Sequence, residues 1–214
     1  MAQKKVNAVI HSQEKLAEGI YSMWLDAPEM AKAAVPGQFI AVYTNDQSKL
    51  LPRPISICEA DKENGRLRIV YRIAGAGTKE FSAYEEGDTL DIMGPLGNGF
   101  PLKKKKAFLI GGGIGIPPML ELAKQLNCEK QMVLGYRDAN LFLKKEFEAY
   151  GQVYVATEDG SAGTRGNVLD AIREHGLTAD VMYACGPTPM LRALKEYAAQ
   201  NQIRFYISLE EKMS

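Results

Sequence analysis

Two runs of this chain carry residue types suited to holding phosphate. One is Arg53-Pro54-Ile55-Ser56, followed by Gly75-Ala76-Gly77-Thr78. The other is Leu109-Ile110-Gly111-Gly112-Gly113-Ile114-Gly115-Ile116-Pro117-Pro118, echoed by Cys185-Gly186-Pro187. Glycine lets a backbone approach a ligand closely, and a helix that starts there offers unpaired N–H groups and the positive end of its dipole. Two phosphate-bearing ligands side by side point to electron transfer from one cofactor to another.

The second run sits in the context a phosphate-binding turn requires, after a short buried strand and before a helix. It is not a strict G-x-G-x-x-G, because Pro117 stands where the third glycine would be; proline in a first helical turn is tolerated, since its missing N–H would be unpaired anyway. The alternative is a glycine turn packed tightly under its helix. Cys185-Gly186-Pro187 also ends an apolar strand and opens a helix, which puts it on the same carboxyl edge of a sheet. A small thiol and a glycine there would admit a flat ring. The alternative is a buried structural cysteine. Asp138 follows the next strand about 20 residues beyond the glycine turn, where an acidic residue binds ribose hydroxyls. Arg137 could pair with a 2′-phosphate instead, but Asp138, Glu158 and Asp159 would repel one, so NADH is expected over NADPH. The candidate nucleotide contacts are Gly111, Gly112, Gly113, Gly115, Ile116, Pro117, Asp138, Gly186 and Pro187.

The elements that must position these residues fall into two halves. Up to residue 100 the pattern is β, with strands expected at 6–10, 19–25, 38–43, 55–58, 66–72 and 89–93. Asn64-Gly65 supplies a hairpin turn. Short strands at regular spacing suit a closed antiparallel Greek-key barrel, which leaves no exposed edge. One short helix is expected at 78–84. The turn formers Gly94-Pro95-Leu96-Gly97-Asn98-Gly99 mark a boundary. From 101 to 214 strands and helices alternate, the signature of a parallel sheet with helices on both faces. Strands are expected at 107–110, 131–136, 153–157, 181–185 and 205–209, and helices at 117–126, 143–150, 168–175 and 188–200.

Composition narrows the classes. The chain has 214 residues, 46% of them apolar, and 26 basic residues balance 26 acidic ones, so charge gives no argument for nucleic acid or a membrane surface. The lysine run at 103–106 reads as a solvated linker. Neither a secretory signal nor the roughly 18-residue apolar run of a membrane helix is visible, so a cytoplasmic location is expected. Cys58, Cys128 and Cys185 lack the close pairs of a zinc or iron–sulfur site, so no metal ligands are assigned. His11 and His175 read as surface histidines.

Taken together, Arg53-Pro54-Ile55-Ser56, Gly77-Thr78, the glycine turn and Cys185-Gly186-Pro187, in this order, resemble the ferredoxin–NADP reductase superfamily. Within it, Leu51-Pro52-Arg53-Pro54-Ile55-Ser56-Ile57, Met93-Gly94-Pro95-Leu96-Gly97-Asn98-Gly99-Phe100 and Ser208-Leu209-Glu210-Glu211-Lys212-Met213 are similar to electron-transfer subunits of two-subunit, NAD-dependent dihydroorotate dehydrogenases. The resemblance implies an FAD site in residues 1–100 and an NAD site in 101–214. Alone, Arg-Pro-x-Ser would be a strand with a salt bridge. With the resemblance, Arg53 becomes a charged fork for a diphosphate. Pro54 stiffens the segment, Ile55 is counted with it among the cofactor contacts, and Ser56 becomes a hydrogen-bonding partner for the flavin ring. Val70, Tyr71 and Arg72 form the neighbouring strand, with Tyr71 available to pack on the cofactor. Gly77 and Thr78 would hold phosphate by N–H groups and a hydroxyl. Cys185 and Glu210 are the residues expected near the nicotinamide.

The implied path runs between NAD(H), FAD, a [2Fe–2S] cluster and the FMN of a separate dihydroorotate-oxidising catalytic subunit, in a heterotetramer serving pyrimidine biosynthesis. The family's cluster cysteines lie past Ser-Leu-Glu-Glu-Lys-Met, and this sequence ends at Ser214 where they should begin, which reads as truncation. Other readings are a ferredoxin–NAD(P) oxidoreductase, a hydrogenase diaphorase subunit, or a flavin-binding docking subunit without NAD turnover.

Overall fold

The structure is a computed structural model and describes residues 5–46 and 51–208. The chain forms two compact units, Met1–Gly99 and Phe100–Ser214.

In the first unit β1 (Lys5–Ala17), β2 (Ile20–Asp26), β3 (Phe39–Val42), β4 (Arg53–Asp61), β5 (Arg66–Arg72) and β6 (Thr89–Leu96) close into an antiparallel barrel of order β1-β2-β5-β4-β3-β6. Alternation sets its inside. Leu67, Ile69 and Tyr71 of β5 join Ile55 and Ile57 of β4 and Ile10, Met23, Leu25, Ile40 and Ile92 in one buried cluster. β1 runs well past the expected strand at 6–10. Residues 11–15 are polar on both faces and show no alternation, yet the strand continues through them against β2, for example with Gln13 opposite Met23.

Helix α1 (Pro28–Ala33) has no counterpart in the sequence expectations, which place no element between 25 and 38. Pro28 pre-sets the first-turn φ, and burial of Met30 and Ala31 holds the short helix in place. Helix α2 (Ala76–Phe81) starts two residues before the expected 78. The Thr78 hydroxyl accounts for the early start, since it accepts from Ala74 N (2.8 Å) and Gly75 N (3.2 Å) and donates to Gly75 O (3.1 Å).

In the second unit β7 (Ala107–Gly112), β8 (Lys130–Tyr136), β9 (Gln152–Thr157), β10 (Thr164–Arg165), β11 (Val181–Cys185) and β12 (Arg204–Ser208) form a parallel sheet of order β10-β9-β8-β7-β11-β12. Central β7 is buried along its whole length, which is why it reads as a continuous apolar run. The two-residue β10 is too short to leave a periodic signal. α5 (Val168–Glu174) and α6 (Thr188–Gln200) cover the face carrying Phe108, Ile110, Val133, Met182 and Ala184. α3 (Pro118–Gln125) packs against β7 and β11, and α4 (Lys144–Glu148) against β9. From β7 the chain winds outward through β8 and β9, then returns to β11 on the other side. The switch point therefore lies between the carboxyl ends of β7 and β11, where open α/β sheets bind ligands. Among the described residues no helix is long and apolar enough to cross a membrane.

Candidate functional site

On the barrel, Arg53 opens β4 and its side chain lies flat against the first turn of α2. A Cβ on Gly77 would stand 2.5 Å from Arg53 Nε and 2.8 Å from Cζ, so glycine is what lets the fork reach the turn. Arg53 Nη1 donates to the Leu51 carbonyl, which fixes one prong. Gly75, at the N-cap, has nothing within 4 Å of where a Cβ would stand. The N–H groups of the first helical turn have no partner within the helix. Open space, a permanent cation and first-turn N–H groups meet at one place, which fits the diphosphate of FAD. On β4, Pro54 is exposed and Ser56 half-buried, whereas Ile55 turns into the barrel.

Three expectations for this site change. Tyr71 is 2% exposed and points inward. Its hydroxyl donates to Gln13 Oε1 at 2.8 Å, its ring stacks on Tyr21, and burial pushes its hydroxyl pKa well up. The inward phase of β5, set by Leu67 and Ile69, removes this ring from any cofactor surface. Val70 is equally buried, so β5 presents Arg72 to solvent. The Thr78 hydroxyl is the third case. It has one donor and two acceptor positions, and the turn uses all of them, so it shapes the cradle rather than binding phosphate.

At the sheet, the glycines of the 111–115 turn serve different ends. A Cβ on Gly111 would lie 2.7 Å from Ile116 Cα, and one on Gly115 2.4 Å from both C and O of Cys185. One on Gly112 would lie 2.6 Å from Met190 Sδ. Gly113 has φ +53 and nothing within 4 Å, so it is the glycine with free space for a ligand. Ile116 is fully buried with its N–H bonded to Gly113 O, and Pro117 is buried and has no N–H. Neither can contact a nucleotide as expected, because both are committed to seating α3. Across the switch point Cys185 pairs with Gly111 in register. Its side chain is 2% exposed, so Gly186 and Pro187 form the surface of this edge.

The carboxyl ends of β8 and β9 bring the acidic residues together. Asp138 Oδ1 accepts from Asn140 N (2.8 Å) and Nδ2 (2.7 Å). Tyr136 OH donates to Phe142 O at 2.9 Å, and its ring meets Phe142 edge-on, closing the loop. Leu143 ends it at φ 65, a left-handed conformation held by burial. Glu158 N bonds Tyr136 O, and Asp159 N bonds Arg137 O. The Asp159 carboxyl is held below its usual range by the Ser161 hydroxyl and N–H. Asp138, Glu158 and Asp159 thus share one rim. Glu210 lies outside the described residues.

Comparison with known proteins identifies the family. Residues 7–100 match the oxidoreductase FAD-binding domain family and residues 109–196 the oxidoreductase NAD-binding domain family. The chain is 45% identical over 213 residues to the dihydroorotate dehydrogenase B (NAD(+)) electron transfer subunit of Bacillus caldolyticus, covering 95% of this chain and 82% of that one. It is 41% identical to the same subunit of Bacillus velezensis, covering 98% and 85%. The chain belongs to this family of electron transfer subunits. Among solved structures, a chain of the NADH-dependent reduced ferredoxin–NADP oxidoreductase, studied for flavin-based electron bifurcation, superposes with a TM-score of 0.88 at 31% identity, covering 100% of this chain and 79% of that one. A ferredoxin–NADP+ reductase from Neisseria gonorrhoeae with bound FAD and NADP shares the fold, with a TM-score of 0.78 at 15% identity over 96% and 99% of the two chains.

As a member of this family the chain is an FAD-dependent NAD(H) oxidoreductase with one domain for each cofactor. Among the described residues no group of three or more His, Cys, Asp and Glu is placed to hold a metal ion. Two residues at the site escaped the sequence reading. Ile114 reaches the surface beside Gly113. Met190 lies against the turn from the first turn of α6, and its signal was its place four residues past Gly186.

Proposed function

We propose that this chain moves electrons between NAD(H) at the sheet edge and FAD on the barrel. In this reading residues 1–100 bind FAD, residues 101–214 bind NAD, and the chain serves an FMN-containing, dihydroorotate-oxidising catalytic subunit in a cytoplasmic heterotetramer. The observation that carries it is the pairing in one chain of the Arg53–Gly77 cradle with the open Gly113 turn at a switch point. The 45% identity to a dihydroorotate dehydrogenase subunit over 95% of the chain supports the cellular role.

Bound on the barrel, FAD supplies the ability to take two electrons as hydride and release them singly. This chain's residues bind and orient. Arg53 neutralises diphosphate charge, and Gly77 lets its fork lie on the α2 turn. Ser56 offers a hydroxyl to the ring from the outer face of β4. Gly113 gives the pyrophosphate of NAD(H) its open place at the turn, and Gly186 with Pro187 gives a flat seat beyond the buried Cys185. Asp138 binds adenosine ribose hydroxyls, and with Glu158 and Asp159 it disfavours a 2′-phosphate. A Michaelis constant for NADPH below that for NADH would reverse the latter assignment.

The test is a visible spectrum of the purified protein under anaerobic conditions, before and after NADH. A flavin spectrum bleached by NADH is expected. A flavin untouched by NADH would favour a docking subunit without turnover. The likeness to the reduced ferredoxin–NADP oxidoreductase chain favours one other reading, a subunit that serves ferredoxin. Copurification with a dihydroorotate-oxidising flavoprotein separates the two.

A further inference from the structure

At the switch point the Cys185–Gly186 peptide is held from two sides. Gly115 presses on it from the glycine turn, with no room for a Cβ. From α6, the side chain of Met190 reaches the end of β7 and the elbow after β11 together. A Cβ on Gly112 would lie 2.6 Å from Met190 Sδ, and one on Gly186 2.5 Å from Met190 Cε. Gly112 and Gly186 also lie close to each other, since a Cβ on Gly186 would stand 3.2 Å from Gly112 N. Met190 is half-buried, and its stem packs on the core shared by α5 and α6.

We propose that Met190 is a positioning residue for the nicotinamide nucleotide, holding the Gly112 end of β7 and the Gly186 elbow at the separation that shapes the crevice. The inference rests on the assignment of NAD(H) to this edge. Its argument is steric. Two glycines, one ending β7 and one just past β11, leave room for the same thioether, and a side chain at either would evict it. An unbranched thioether suits the task, because Sδ and Cε can follow an irregular gap between two backbones. Leucine ends one atom earlier, so it can keep the contact at Gly112 but not the one at Gly186. Alanine keeps neither, and the two turns are then free to drift in a region that must fit a ligand.

The test uses the flavin-loaded protein and reads NAD+ dissociation constant, flavin content and melting temperature. Met190→Ala is expected to weaken NAD+ about tenfold, with flavin content unchanged. Met190→Leu is expected to weaken it less, with an unchanged melting temperature. Gly112→Ala also evicts the thioether and weakens NAD+. In Gly112→Ala/Met190→Ala the new methyl enters the vacated space, so the double variant binds better than the sum of the single losses. A Met190→Ala constant within about twofold of wild type, alongside a lower melting temperature, would overturn the proposal, as would strict additivity in the double variant. Should Met190→Ala not fold, Met190→Leu decides by the same constant. Failure of wild type to bind NAD+ or to bleach with NADH would instead sink the nucleotide assignment itself.

Discussion

Gly115→Ala separates what the glycine turn does for the protein from what it does for a ligand. A Cβ at Gly115 would stand 2.4 Å from the carbonyl C and O of Cys185 and 2.6 Å from Gly186 N. Ordinary contact begins near 3.4 Å, so the turn must open by about 1 Å. The obstacle is backbone at the end of β11, which is paired on one side with Gly111 of β7 and on the other with Ser208 of β12. Neither neighbour yields as a side-chain tip would. Overpacking of this kind costs about 3 kcal/mol, the upper end of its usual range. For a chain of this size that lowers the melting temperature by about 6–12 °C. Gly113→Ala is the control. It meets nothing within 4 Å but sits at φ +53, so its cost is a left-handed alanine, about 1 kcal/mol and about 2–4 °C. Thermal unfolding by circular dichroism ranks the two, and NAD+ titration reads binding. Gly115→Ala should melt lower, and Gly113→Ala should lose more affinity per degree of melting temperature lost, because its methyl enters the ligand's space. A Gly115→Ala protein that melts within ~2 °C of wild type would refute the packing argument.

Gly77→Ala pushes on the movable Arg53 fork rather than on backbone, so stability should hold within about 1 kcal/mol while the ratio of bound flavin to protein falls; full flavin occupancy would count against the cradle. Thr78→Val removes the hydroxyl that accepts from Ala74 and Gly75, at a cost of about 1–2 kcal/mol, and should shed flavin through loss of the turn's shape; dialysis followed by absorbance checks it. Burial, then the hydrogen bond to Glu80, pushes the Tyr84 hydroxyl up to about 12, and burial also raises Tyr71 and Tyr136. The unfolded chain therefore loses these protons first, so their stabilisation is complete below about pH 10 and falls as pH rises toward 12. Denaturant midpoints between about pH 9 and 12 should show that fall, shallower in Tyr84→Phe, and a flat profile would contradict it.

Much of the architecture was legible in the sequence, for reasons particular elements show. β7 and β11 are apolar runs bounded by glycine, so each announces its burial, and the spacing of Leu67, Ile69 and Tyr71 announces which face of β5 lines the barrel. α6 was bounded in sequence as it is in the structure, because Pro187 precedes it, Pro189 falls in its first turn where proline is tolerated, and no breaker follows. α1 was not legible, since six residues carry too little periodicity and only the barrel surface beneath Met30 and Ala31 holds them. The candidate site divides the same way. Glycines at strand ends mark a place where backbones approach, but a sequence cannot say what approaches them.

By itself the sequence determined a barrel followed by a parallel sheet, and through residue resemblance an FAD and NAD(H) electron carrier. It did so because burial periodicity and turn chemistry are local properties of the chain. Only the tertiary structure decided the roles within the motifs. Gly111, Gly112 and Gly115 are glycines because Ile116, Met190 and the Cys185 backbone press on them, whereas Gly113 is left with open space. Tyr71 faces inward because the phase of β5 is fixed by its partners, and Thr78 is spent on its own turn. These outcomes depend on which distant atoms share a volume, and spacing along the chain does not carry that information.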